Sequence, residues 1–125
     1  LLEKIAIFDN EISLRNKVAN LYDSLITNPL ITKPLINENY KSVYALYTIK
    51  TDFRDRCQEQ LKEEGIPSGV YYQIPLHKQL AFKEGVASGL ENSEELCNKV
   101  LSIPMHPYLD TDSQEKITEV INKIK

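Results

Sequence analysis

Ser42-Val43-Tyr44-Ala45-Leu46-Tyr47-Thr48-Ile49-Lys50 is rich in β-branched and aromatic residues, the types that pack well on a pleated surface. Side chains alternate across a strand, so Val43, Ala45, Tyr47 and Ile49 form one face and Tyr44, Leu46 and Thr48 the other. Both faces are largely apolar. A strand of that kind is covered on both sides, or turns one face to another domain.

Upstream of this strand, apolar residues recur at helical spacing from Leu2 to Ile26: Ile5, Phe8, Ile12, Val18, Ala19, Tyr22 and Leu25. Arg15 falls on the same stripe. No Gly or Pro interrupts the run, and the spacing predicts one long helix. It should stop near Thr27-Asn28-Pro29, because proline pushes the residue before it out of helical geometry. Leu30 to Asn39 contains Pro34 and reads as a surface connection.

Downstream, Thr51 or Asp52 is placed to cap a second helix with the stripe Phe53, Cys57 and Leu61. Arg54, Arg56, Lys62, Glu63 and Glu64 are expected on its solvent side. Gly65 and Pro67 give the usual stop. A short strand, Val70 to Tyr72, is expected next, and then a loop over Ala81–Glu91. Asn92 or Ser93 should cap a third helix with Glu94 and Glu95 in its first turn and Leu96, Cys97 and Val100 on its stripe. Leu101-Ser102-Ile103 reads as a very short strand. Thr111-Asp112-Ser113-Gln114 fits a capping box before a last helix that buries Ile117, Val120, Ile121 and Ile124. This order predicts an α+β fold with a small sheet of about three strands and helices mainly on one face.

Composition limits the function. The chain has 125 residues, one domain's worth, and no apolar run near the roughly 20 residues of a membrane span. Its formal net charge of −3 speaks against a duplex-binding surface, which needs clustered Lys and Arg. Cys57 and Cys97 lie outside any Cys-x-x-Cys pair and read as small apolar residues on helices in a reducing compartment. No charged-then-apolar leader precedes the first helix, and a cytoplasmic location is expected. The start at Leu1-Leu2, already inside an amphipathic pattern, reads as a cut within a longer polypeptide.

The chemistry-bearing residues gather in Val70-Tyr71-Tyr72-Gln73-Ile74-Pro75-Leu76-His77-Lys78-Gln79-Leu80-Ala81-Phe82. His77 exchanges protons near neutrality, and Pro75 restricts the backbone just before it. Two readings stay open: a polar group presented at a cleft to orient a ligand, or a loop histidine hydrogen-bonded to backbone. Tyr71 and Tyr72 would point to opposite sides of a strand, so only one faces any given site. His106, between Met105 and Pro107, reads as a turn histidine. Pairing it with His77 as a metal site lacks a third ligand at a recognisable spacing. There is no Gly-rich phosphate loop, no Gly-x-Ser-x-Gly elbow and no His-Glu-x-x-His helix.

The segment Tyr71 to Phe82 resembles a motif of the DegT/DnrJ/StrS family of pyridoxal-phosphate-dependent sugar aminotransferases. Val100-Leu101-Ser102-Ile103-Pro104-Met105-His106-Pro107 is similar to that family's second C-terminal signature. Leu2-Glu3-Lys4-Ile5 followed by Arg15 and Tyr22 is similar to its long interdomain helix. The resemblance implies the small C-terminal domain of a type I aminotransferase fold, with residues 1–26 as the linking helix and 42–125 as the α+β domain. It also implies that the large domain holds pyridoxal phosphate and the Schiff-base lysine, so that no residue here is catalytic and none binds the cofactor or a metal. The expected reaction moves an amino group from glutamate to a nucleotide-linked keto-sugar, in a homodimer without nucleic-acid or membrane partners. Tyr72 and His77 match the residues expected beside the sugar nucleotide. Some relatives replace the lysine with histidine and run dehydrations. The rival reading is a stand-alone α+β ligand-sensing or protein-interaction module.

Overall fold

The computed structural model describes residues 2–82, 84–85 and 88–125. In chain order it contains α1 (Leu2–Leu25), β1 (Tyr47–Lys50), α2 (Arg54–Glu63), two 3-10 turns (Leu76–Lys78 and Leu80–Phe82), α3 (Glu91–Lys99), β2 (Val100–Ile103) and α4 (Thr111–Asn122). Part of the loop expected over Ala81–Glu91 lies outside the described residues.

β1 and β2 run antiparallel with Tyr47 opposite Ile103 and Ile49 opposite Leu101. These four side chains share one face and are buried, so the strand face predicted from Tyr47 and Ile49 is the core face. On the other face the hydroxyls of Thr48 and Ser102 meet at 2.9 Å. Each outer edge carries one isolated bridge, Thr32 to Lys50 and Gly69 to Ser102. The third strand expected over Val70–Tyr72 is thus reduced to the single bridge at Gly69. Beyond it the chain turns at Tyr71 and Tyr72, and the Tyr71 ring folds back over Gly69 so closely that a Cβ there would meet it at 2.8 Å.

The predicted strand over Ser42–Lys50 forms only in its second half. Tyr44 has φ of 43°, a left-handed conformation that costs a non-glycine residue about 1–2 kcal/mol and ends the extended run. Contacts to α1 hold it there. Arg15 Nη1 donates to the Tyr44 carbonyl at 3.0 Å and Asn16 Nδ2 to the Ser42 carbonyl at 3.1 Å. Tyr44 then stacks on Tyr47, with ring centroids 6.2 Å apart, and is buried instead of facing out on a second sheet face.

α1 matches its predicted span, but only its second half enters the core, through Val18, Ala19 and Tyr22. Ile5 and Phe8, expected on the same buried stripe, are exposed, and Leu2 is 82% exposed. The Tyr22 ring lies 5.0 Å from that of Tyr47, and its hydroxyl donates to the Pro104 carbonyl at 2.9 Å. Burial raises its phenol pKa well above the ordinary value. A buried Gln114 amide donates to the Val18 carbonyl at 2.9 Å, tying α4 to α1. At the far end, Asn28 Nδ2 donates to the carbonyls of Ile121 and Ile124, while Asn122 Oδ1 accepts from the backbone N–H groups of Thr27 and Asn28. Asn28 thereby satisfies carbonyls that the end of α4 would otherwise leave open, and Asn122 Nδ2 does the same for α1 by donating to the Leu25 carbonyl at 2.9 Å.

α2 buries Cys57 and Leu61 as predicted, while Phe53 is exposed and Arg54, expected at the solvent side, is buried. Its stop is the predicted one: Gly65 has φ of 71°, with Gly65 N–H donating to Lys62 and Ile66 N–H to Leu61, the Schellman arrangement. α3 begins at Glu91, one residue before the expected caps. α4 is capped by Asp110, which accepts from Ser113 N–H at 2.8 Å, and not by Thr111. His106 sits in a turn, where Nδ1 accepts from Tyr108 N–H at 3.2 Å.

Candidate functional site

The 71–82 segment has no strand partner of its own. Pro75 supplies the carbonyl that closes the first 3-10 turn, accepting from Lys78 N–H at 2.9 Å, and Leu76 accepts from Gln79. The second turn follows immediately. This irregular segment faces α3, and between them lies a groove of about 830 Å³. Tyr72, Ile74, Leu76, His77 and Phe82 line it from the segment, and Leu90, Ser93, Leu96 and Cys97 from the helix side.

Tyr72 and His77 therefore reach the same groove, in different ways. Tyr72 is 72% exposed, its ring set edge-on to that of Tyr71 at 6.0 Å. The opposite-face arrangement expected of a strand does not arise, because the chain turns here. The His77 side chain is only 18% exposed, and Nε2 lies 2.9 Å from Oε1 of Glu94 on α3. The backbone-bonded alternative for His77 is thereby replaced by a carboxylate partner. Lys78 Nζ lies 2.6 Å from the other oxygen, Oε2. Lys78 first, and His77 second, hold the Glu94 carboxyl below the usual carboxylate range.

Sequence reasoning missed Glu94, which it placed in a helix first turn, where any acid is favoured by the dipole. Its link to a residue seventeen positions earlier leaves no periodic trace. Cys97 also lines the groove, half-buried, whereas Cys57 is buried and burial pushes its thiol up to about 11. Both thiols are free. Among the described residues no group of three His, Cys, Asp or Glu side chains could hold a metal ion, and no helix is long and apolar enough to cross a membrane.

A helix-flanked two-stranded sheet with an apolar groove beside a histidine and a tyrosine describes an α+β module with a candidate binding groove. Comparison with known proteins places it. The profile of the DegT/DnrJ/EryC1/StrS aminotransferase family matches residues 1–124, and the chain belongs to that family. It is 46% identical over 113 residues to the UDP-2-acetamido-2-deoxy-3-oxo-D-glucuronate aminotransferase of Pseudomonas aeruginosa, covering 90% of this chain and 31% of that protein. It is 31% identical over 109 residues to the UDP-N-acetyl-3-dehydro-alpha-D-glucosamine 3-aminotransferase of Acidithiobacillus ferrooxidans, covering 87% and 30%. A crystal structure of a DegT DnrJ EryC1 StrS aminotransferase from Brucella abortus superposes with a TM-score of 0.90 at 42% identity, covering 97% of this chain and 33% of that one. The chain thus spans about a third of the length of the relatives it matches.

Pyridoxal phosphate, the cofactor the family implies, does not fit the groove. Neither Lys nor Arg is among its lining residues, so it offers no amine for a Schiff base and no cation for the phosphate.

Proposed function

We propose that this chain is the small, C-terminal domain of a pyridoxal-phosphate-dependent aminotransferase that moves an amino group from glutamate to a nucleotide-linked keto-sugar. Residues 1–26 link it to a large domain that holds the cofactor. The enzyme works as a homodimer in the cytoplasm, a location that the two free thiols support. The observation that carries the reading is the convergence of Tyr72 and His77 on one groove. Its walls are otherwise mostly apolar, which suits the flat face of a base or sugar ring beside a few polar groups that fix orientation. The names of the Pseudomonas and Acidithiobacillus relatives favour a UDP-linked 2-acetamido sugar with its keto group at C3 as the acceptor.

The test separates the two half-reactions in the intact enzyme, each followed by the absorbance of the cofactor. His77→Ala is expected to slow reaction with the keto-sugar by about tenfold, as the loss of one hydrogen bond of about 1.4 kcal/mol would, and reaction with glutamate by much less. Equal loss in both half-reactions would make His77 a structural residue and remove the groove from the substrate site.

A further inference from the structure

We infer that Glu94 is a positioning residue for this groove, fixing the His77 ring so that Nδ1 is the nitrogen left for a nucleotide-linked sugar. The inference rests on the reading of the groove as the sugar-nucleotide wall.

An ionised carboxylate only accepts hydrogen bonds. With Oε1 of Glu94 at 2.9 Å from Nε2, that ring nitrogen carries the proton. The carboxyl is held in its ionised form by the adjacent Lys78 ammonium. Among the described residues Nδ1 of His77 has no hydrogen-bond partner. Nδ1 is thus the atom available to a ligand: the neutral ring accepts there from a sugar hydroxyl, an acetamido N–H or the imide N–H of a pyrimidine base, and the protonated ring donates there to a sugar or carboxylate oxygen.

The geometry of the clamp goes beyond a single ion pair. Glu94 uses one oxygen for His77 and the other for Lys78, neighbours in the same 3-10 turn. The turn belongs to one wall of the groove, and Glu94 stands on the helix that forms the other, between the lining residues Ser93 and Leu96. One carboxylate therefore sets the ring orientation and the spacing of the walls together. Glu94 does not itself line the groove, and it acts through His77.

Steady-state kinetics of the intact enzyme with the UDP-linked 2-acetamido-3-oxo-glucuronate named for the Pseudomonas relative, together with crystal structures of the variants, test this. His77→Ala and Glu94→Ala should each raise KM for the keto-sugar about tenfold, and the double variant by the same tenfold, because residues acting as a unit are not additive. Glu94→Gln keeps an oxygen to accept from Nε2–H and should restore KM to within about threefold of wild type. In crystals the His77 ring should hold its orientation in Glu94→Gln and adopt more than one in Glu94→Ala. Additive losses, a Gln variant as poor as Ala, or an unmoved ring in Glu94→Ala would each overturn the assignment. Should His77→Ala leave KM unchanged, the sugar reading of the groove falls, while the ring orientations still decide whether Glu94 positions His77. Should Glu94→Ala fail to fold, the kinetics and crystal structure of Glu94→Gln carry the test.

Discussion

Gly65 and Tyr44 both hold left-handed backbone, and only one of them announces it. A glycine after a helical stripe, with proline two residues on, is a known stop, and φ at Gly65 is indeed 71°. Nothing lies within 4 Å of a Cβ built there, so Gly65→Ala meets backbone strain alone. Urea denaturation of the chain should show a loss of about 1–2 kcal/mol, and a variant as stable as wild type would mean that the Schellman turn opens at little cost. Tyr44 gives no such signal. Its conformation depends on Arg15 and Asn16, more than twenty residues upstream, while its local propensity favours a strand. Glu94 and Arg54 were illegible for the same reason. Each is a charged residue on a helix, where solvation is the default, and only the packed chain assigns one to His77 and buries the other.

At the scale of elements the periodic signals were the readable ones. The four helices lie where spacing puts them, and β2 is found within one residue. α1, α2 and α4 each bury part of an apolar stripe, whereas α3 buries no residue and turns Leu96 and Cys97 to the groove. Boundaries were less legible, since caps compete within one or two residues. The α4 cap illustrates this: Asp110 and Thr111 are both good capping types, and Asp110 is the one whose side chain accepts from Ser113 N–H. That backbone bond first, and the Ser113 hydroxyl second, lower the Asp110 pKa. A carboxyl depressed in the folded state adds stability above its unfolded pKa, and that contribution is lost as pH falls through the folded value. Chain stability should therefore decline as pH falls from about 5 toward 2. Asp110→Asn should flatten part of that slope while keeping the cap, and Asp110→Ala should be less stable than Asn at neutral pH. If the Asn variant keeps the full wild-type slope, other carboxylates carry the pH dependence.

Across the whole molecule, what the sequence could not say is what covers the surface it leaves apolar. The second face of the predicted strand was expected to meet a partner, and the structure moves that face. It now comprises the first half of α1, with Leu2, Ile5 and Phe8 exposed, and the 35–46 segment that Arg15 and Asn16 anchor to α1, with Leu35, Tyr40, Val43 and Leu46 exposed. Single exposed apolar residues need no explanation, but this number of large ones on two segments makes them candidates for an interaction surface. The chain spans about a third of its relatives, and the proposed large domain is the expected cover. Leu46→Asp separates docking from folding. Half-exposed in this chain, it should change the isolated chain's stability by no more than about 0.5 kcal/mol. In the intact protein the same carboxylate would be buried without a partner, a penalty of about 1–3 kcal/mol or more, which a lowered melting temperature and faster hydrogen exchange over α1 would report. Equal effects in the isolated chain and the intact protein would show that this surface stays in water and that the large domain docks elsewhere.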